Sequence, residues 1–344
     1  MPKPPIRAVV YGVGASGSRI VRLLVQKNVQ IVGALGVSPN KVGRDVGEVA
    51  GVAPLGVKIT NDPAGLFSSK IADVVLHATP YDPRRIVAEL KLPLQVGIDV
   101  ISIAGISFLP GQFPDLAAEL DATARAGGAT VVGTGVNPGF IQDVLPIVLS
   151  GACEEVKKVT ALRVSDFSPW GPEVMRHYGI GFTPEAFHHG VAEGKIGLHA
   201  EIRQSVGMIA HALGFPLEEV REERSPLLTT VDRNAPYVSV KKGAVCGFRH
   251  KALGISNGEA VIDLELCGII APESARDGVE VGTTIVIDGT PNIQAAVQGG
   301  LGQAEGAYAA TVARAVNAIP HVLRASPGLV SLADLPVMGY WRGV

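Results

Sequence analysis

Runs of β-branched and other apolar residues alternate with amphipathic stretches through the first part of the chain. Ile6–Tyr11 ends at Gly12, Arg19–Gln26 has helical spacing, and Gln30–Leu35 is a second apolar run, so strand, helix and strand are predicted in turn. Ala72–Ala78, Val96–Ile103 and Thr130–Gly133 predict further buried strands, and Pro114–Ala126 predicts another helix. Nearly continuous Val/Ile/Leu runs suit parallel strands whose two faces are both covered by helices. The expected fold class is α/β, with an N-terminal Rossmann doubly wound parallel sheet over residues 1–145.

Past Gly151 the pattern changes. Val156–Val164, Tyr237–Val240, Val245–His250, Ala260–Cys267 and Thr283–Ile287 read as strands, several with alternating polarity, and Pro184–Ala192 and Glu201–Leu213 read as helices. Strands without regular helix alternation predict a C-terminal α+β domain on an open sheet over 146–304, read as the substrate and dimerisation domain. Gly306–Asn317 predicts a last helix and Pro320–Pro336 an irregular segment; 305–344 is expected to pack back on the first domain.

Composition narrows the function. The 344 residues carry 30 Lys+Arg and 32 Asp+Glu, a net charge of −2, which argues against a nucleic-acid partner. With 18% charged residues and a mean hydropathy of +0.30, the chain is too apolar to be disordered. The three cysteines, Cys153, Cys246 and Cys267, are too scattered for a disulfide framework or zinc site. His188 and His189 are adjacent on a helix, so they point about 100° apart and no metal is expected. The apolar window Ala129–Ala152 holds Asn137, Pro138, Asp143 and Pro146, a poor membrane span. No leader pattern follows MPKPPIRAVVYG, so a cytoplasmic protein that does not bind membranes is expected.

Chemistry enters with Gly12-Val13-Gly14-Ala15-Ser16-Gly17, set between a strand and a helix. Gly12 permits the tight turn, Gly14 lets backbone approach a pyrophosphate, and Gly17 lets the helix pack on the strand. With Ala15 and Ser16 these residues form a dinucleotide cradle at a helix N-terminus. Ligands sit beyond the carboxyl ends of parallel strands, which adds Ala78-Thr79-Pro80 and the loop from Ile103 to Pro110. The stretch Val32–Lys41 has no acidic residue to hold a ribose 2′-hydroxyl, while Ser38 and Lys41 suit a 2′-phosphate. NADP(H) is therefore favoured over NAD(H).

Several motifs in order, Lys41-Val42-Gly43-Arg44-Asp45-Val46-Gly47, Ala72-Asp73-Val74-Val75-Leu76-His77-Ala78-Thr79, Gly133-Thr134-Gly135-Val136-Asn137-Pro138-Gly139-Phe140 and Gly197-Leu198-His199, carry a resemblance. The chain resembles the native amine dehydrogenase and 2,4-diaminopentanoate dehydrogenase family, whose N-terminal domain is dihydrodipicolinate-reductase-like. The resemblance implies NAD(P)H-dependent reductive amination or amine oxidation, a homodimer formed through the second domain, and Asn137 beside the cofactor. It also implies a substrate pocket lined by Ile103, Ala104, Gly105, Ile106, Phe167 and Trp170. One departure matters: the family's glutamate falls by register on Gly105 and Ile106, and Ile101–Pro110 contains no carboxylate. Hydride transfer needs a partner for the proton, and the candidates are His199, Asp166 and Tyr178. For each, the alternative is an ordinary helix-end or strand-end residue. The expected substrate is a small carbonyl or amine. The alternatives are an NADP-dependent alcohol dehydrogenase/ketone reductase that does not use ammonia, and a non-catalytic nucleotide sensor.

Overall fold

The computed structural model describes residues 4–197 and 201–344. The chain divides into two compact units, Met1–Phe140 with Tyr308–Val344, and Ile141–Ala307. Among the described residues no helix is long and apolar enough to cross a membrane.

The first unit is built on seven parallel strands. β1 (Arg7–Tyr11) lies between β2 (Gln30–Leu35) and β4 (Val74–His77); β3 (Ile59–Thr60) flanks β2, and β5 (Asp99–Ser102) and β6 (Thr130–Gly133) extend the other side. A last strand, Gly328–Val330, pairs with β6 inside the segment expected to be irregular. The order reverses beside β1, so the crevice where ligands bind in such sheets lies at the ends of β1 and β4.

Helix α1 (Ala15–Gln26) starts four residues before the predicted Arg19. Its buried stripe is Gly17, Ile20, Val21 and Leu24, the spacing of one helix face. Short helices α2 (Val46–Ala50) and α3 (Pro63–Leu66) follow β2 and β3. Between β4 and β5 the structure adds α4 (Pro83–Gln95), capped by Asp82 on the Arg85 amide and burying Ile86, Val87, Leu90 and Leu94. That helix consumes the front of the predicted strand Val96–Ile103, because Val96 becomes its C-cap and Gly97 turns the chain at φ 78°. Helix α5 (Pro114–Gly127) completes the covering layer.

In the second unit, α6 (Val144–Ser150) leads into β7 (Glu155–Asp166), and α7 (Pro172–His177), α8 (Pro184–Ala192) and α9 (Ile202–Leu213) follow. Then come β8 (Glu219–Leu228), the hairpin β9 (Arg233–Ala235) and β10 (Val238–Val240), β11 (Val245–Ser256), β12 (Glu259–Ile269), α10 (Ser274–Asp277), β13 (Gly282–Thr290) and β14 (Ile293–Val297). The mixed six-stranded sheet runs β14-β13-β7-β12-β11-β8, with β7 and β12 parallel and the other neighbours antiparallel. One face is apolar. One cluster on it holds Val159, Ala161, Leu264 and Ile285; a second holds Phe167, Phe187, Phe248 and Leu266. The other face carries the ion pairs Lys251–Asp263 and Arg249–Glu265. Helix α11 (Ala304–Val322) is longer than the predicted Gly306–Asn317 and runs through Pro320.

Candidate functional site

The glycine loop has the geometry of a phosphate cradle. A side chain on Gly12 (φ 98°) would put its Cβ 2.4 Å from the Ala78 carbonyl oxygen, and one on Gly17 would lie 1.8 Å from the Gly12 carbonyl. These two glycines are demanded by the protein itself. Gly14 is different: a Cβ there meets nothing within 4 Å, in extended backbone that any residue adopts. Gly14 is also the N-cap of α1, and no side chain caps that helix. Together with exposed Ala15 and half-buried Ser16, the first turn of α1 presents backbone N–H groups and a positive dipole end to the open space beside Gly14. The cradle fits a dinucleotide pyrophosphate.

Two flanks complete it. On one, Lys41 Nζ donates to the Val13 carbonyl at 2.8 Å, which places an ammonium against the cradle. Ser38 Oγ donates to Asn40 Oδ1 at 2.6 Å, and Val37 beside it is exposed. Asp45, from the first quoted motif, is a structural cap that accepts from the amides of Gly47, Glu48, Leu55 and Val57. On the other flank, the Ala78 amide donates to the Tyr11 carbonyl at 2.8 Å, tying Ala78-Thr79-Pro80 to the end of β1.

Behind that loop lies a polar network that the sequence reading did not single out. His77 is fully buried; its Nδ1 lies 2.9 Å from Ser102 Oγ and its Nε2 3.1 Å from Glu89 Oε2. The Ala104 amide donates to Ser102 Oγ at 3.2 Å, Thr79 Oγ1 donates to Glu89 Oε2 at 2.8 Å, and Arg85 Nε donates to Glu89 Oε1 at 2.7 Å. The chain is satisfied in one direction: Ser102 donates to Nδ1, and Nε2–H donates to Glu89. Burial pushes His77 toward this neutral form. Burial alone would raise the Glu89 carboxyl, but the bonds from His77, Arg85 and Thr79 hold it down at about 2. Tyr11 stands edge-on to the imidazole, and its hydroxyl is pushed up to about 12 by burial and by Glu89. A polar residue ending a fully buried strand, and an Arg–Glu pair at i,i+4 on α4, were the signals available in sequence.

The depressed Glu89 has a consequence in acid. Unfolded glutamate titrates near ~4.3, so Glu89 stabilises the fold above that pH, and this support is lost as pH falls toward 2. Glu89→Gln should be less stable at pH 7 by roughly 1–3 kcal/mol, the loss for breaking a buried charged hydrogen-bond network. It should also show a flatter decline from about pH 4 to 2. Acid titration followed by circular dichroism checks this, and an acid limb that overlays the wild type refutes it.

The loop after β5 packs inward. Ala104 and Ile106 belong to the core cluster with Val100, Leu109 and Val131, while Ile103 and Gly105 are half-buried and Gly105 has φ 84°. Asn137 is half-buried in a turn that folds tightly on itself, since a Cβ on Gly139 would lie 2.4 Å from the Gly135 amide nitrogen. Thr311 and Arg314 of α11 brace that turn by accepting from the Val136 amide and donating to the Gly139 carbonyl.

In the second unit, Asp166 accepts from the backbone amide and hydroxyl of Ser168, closing the turn after β7, and α7 replaces part of the expected loop. Phe167 meets Trp170, Tyr178 and Phe248 at centroid distances of 6.1, 5.1 and 5.2 Å, and Tyr178 stacks on Phe248 at 4.5 Å. The structure thus gathers Phe167, Trp170 and Tyr178 into one aromatic wall and adds Phe248, read from sequence only as part of a strand. Burial, with Glu201 adding to it, raises the Tyr178 hydroxyl, which therefore holds its proton firmly. His199 lies outside the described residues. Among the described residues no His, Cys, Asp and Glu cluster could hold a metal ion.

Residues 140–343 match the family described as the 2,4-diaminopentanoate dehydrogenase C-terminal domain, and residues 6–105 match the N-terminus of dihydrodipicolinate reductase. The chain is 37% identical to a 2,4-diaminopentanoate dehydrogenase of Acetoanaerobium sticklandii, over 96% of this chain and 94% of that protein. It is 29% identical to an amine dehydrogenase of Streptomyces virginiae, covering 96% of each. Among solved structures, the amine dehydrogenase from Mycobacterium smegmatis superposes with a TM-score of 0.84 at 26% identity, covering 99% of each chain.

Proposed function

Because the chain belongs to the 2,4-diaminopentanoate dehydrogenase family and is an NAD(P)-dependent oxidoreductase, we propose that it acts on a small carbonyl, imine or amine with NADP(H) in preference to NAD(H). The observation that carries the cofactor reading is Gly14, held open at the uncapped N-terminus of α1 with the Lys41 ammonium alongside. When bound, the nicotinamide supplies or accepts the hydride. The residues of this chain do the rest. Gly12, Ala15, Ser16 and Gly17 shape the cradle, and backbone N–H groups of α1 take the pyrophosphate. Lys41 spends one of its three N–H donors on Val13, leaving two for a 2′-phosphate. Ala78, Thr79 and Pro80, tied to Tyr11 and Glu89, border the nicotinamide end, with Asn137 from the turn after β6. Phe167 and Trp170 supply apolar substrate contact, and His199, Asp166 and Tyr178 are the proton-handling candidates, with Tyr178 the weakest because it holds its proton.

Nitrogen chemistry follows from the family, while one observation favours reduction of a carbonyl without ammonia: residues 103–110 contain no carboxylate. Incubation with NADPH and a panel of ketones, with and without ammonium, separates the readings. NADPH loss only with ammonium supports amine formation, loss without it supports carbonyl reduction, and binding without loss defeats both. For the cofactor, Lys41→Gln should weaken NADPH about tenfold while NADH changes less than threefold. Gly36→Asp, whose Cβ would sit 3.2 Å from Ile59 Cγ2, should narrow the preference by repelling the phosphate. A wild type that binds NADH several-fold more tightly than NADPH overturns the assignment.

A further inference from the structure

Three neighbouring strands of the first sheet end in one polar row. Register sets Tyr11, His77 and Ser102 side by side at the carboxyl ends of β1, β4 and β5, and α4 brings Glu89 and Arg85 to the same place. His77 closes a strand whose other residues, Val74, Val75 and Leu76, are apolar and fully buried. An apolar side chain would be buried there without needing any partner, whereas an imidazole requires one for each nitrogen.

The protons of this row run one way. The Ala104 amide can only donate, so Ser102 Oγ accepts from it and gives its single proton to His77 Nδ1. The imidazole proton is thereby on Nε2, 3.0 Å from Thr79 Oγ1 and 3.1 Å from Glu89 Oε2. Thr79 spends its own proton on Glu89 Oε2, and Arg85 covers the other carboxylate oxygen. One ring thus joins two loops. Through Ser102 it holds the Ala104 amide, in the loop after β5; through Nε2 and Glu89 it holds half-buried Thr79, in the loop after β4. Its backbone carbonyl also accepts from the Ile103 amide at 2.9 Å. A fully satisfied buried network specifies one arrangement of the groups it joins. Both loops leave the carboxyl ends of the parallel strands, where such sheets take their ligands.

We infer that His77 is a positioning residue for the cofactor: it locks the loops after β4 and β5 into one fixed wall for the nicotinamide. This inference rests on the reading above that places Ala78-Thr79-Pro80 at the nicotinamide end. Being fully buried, the imidazole touches no ligand and acts through Thr79 and Ala104.

The test compares NADPH with 2′-phospho-ADP-ribose, the same molecule without its nicotinamide, by calorimetric titration. The wild type should bind NADPH at least tenfold more tightly. His77→Phe keeps a ring against Tyr11 and removes both nitrogens, so that ratio should fall to within threefold of one while the affinity for 2′-phospho-ADP-ribose changes less than threefold. The double variant His77→Phe/Glu89→Met, which leaves no stranded carboxylate, should behave alike and serves where the single variant is too unstable. His77→Gln, which keeps an N–H, should recover part of the ratio. Val87→Ala is the structural control: it opens a hole on the buried side of α4, so its Tm should fall with the ratio unchanged. At saturating NADPH, kcat with any ketone that the wild type reduces should drop at least tenfold in His77→Phe and stay within twofold in Val87→Ala. A wild type that binds the two ligands alike, a ratio that survives in His77→Phe and the double variant, or an equal fall in Val87→Ala overturns the inference. NADH and ADP-ribose are titrated beside them. If NADH binds more tightly than NADPH, the cofactor preference is lost, and His77 stands or falls on the ratio of NADH to ADP-ribose instead.

Discussion

Gly14→Asp should fold at least as stably as the wild type and bind both NADPH and NADH at least 100-fold more weakly. The two halves of this result have opposite signs because the protein and the ligand make different demands on one position. For the fold, Gly14 is the N-cap of α1 in extended backbone, a Cβ there meets nothing, and no side chain caps the helix. Aspartate is among the best N-cap residues and also complements the helix dipole, so stability should hold or rise by about 0.5–1 kcal/mol. For the ligand, the same carboxylate occupies the space that the pyrophosphate must enter and brings like charge to it. A 100-fold loss corresponds to about 2.7 kcal/mol. Gly12→Ala and Gly17→Ala are the contrast. Their Cβ atoms would press on backbone oxygens at 2.4 and 1.8 Å, so they should lose stability and binding together. Thermal melting beside fluorescence titration reads both quantities, and Gly14→Asp binding within tenfold of wild type would falsify the cradle.

That distinction was half legible in the sequence. The Gly12–Gly17 spacing between strand and helix announced a turn, an approach and a packing contact, and the parallel sheet followed from nearly continuous apolar runs such as Val74-Val75-Leu76. What stayed hidden was whatever depends on contacts between distant segments. Helix α4 is an exception: its Asp82-Pro83 start and its stripe of Ile86, Val87, Leu90 and Leu94 are helix signals, interrupted only by Pro93. Strand β8 reads as Glu-Val-Arg-Glu-Glu-Arg, a charged stretch that pairs because β11 offers it an edge. The strand Gly328–Val330 is too short to carry a pattern and is held only by β6. The same limit applies to the site. His77, Ser102 and Glu89 lie in three elements, and only the fold brings them within hydrogen-bond reach.

Replacing the absent carboxylate should have opposite outcomes at two adjacent positions. Ile106→Glu should not yield a stable protein. Ile106 is 1% exposed and packed in the core of the first unit, so the change forfeits about 1.5–3 kcal/mol of apolar burial. It also strands a carboxylate away from water, whose desolvation adds several kcal/mol more. Against a typical total of about 5–15 kcal/mol, that loss leaves little or no folded population. Gly105→Glu meets a milder penalty. Gly105 is half-buried, and its φ of 84° imposes a strain of about 1–2 kcal/mol on any residue with a Cβ. This variant should fold with a lowered Tm and place its carboxyl at the end of β5, where the family resemblance puts the glutamate. If the loop borders the reacting carbon, the new carboxylate can hold ammonium, and ammonium-dependent turnover should rise at least tenfold, about 1.4 kcal/mol of barrier. Steady-state rates with and without ammonium, measured beside the Tm and the NADPH affinity, decide it. A Gly105→Glu protein that is folded, binds NADPH and ignores ammonium means that residues 103–110 do not occupy the family's catalytic position. The missing carboxylate would then say nothing against nitrogen chemistry in the wild type. A well-folded Ile106→Glu protein would mean instead that this loop turns its side chains outward, and the position of the glutamate would have to be sought at Ile106.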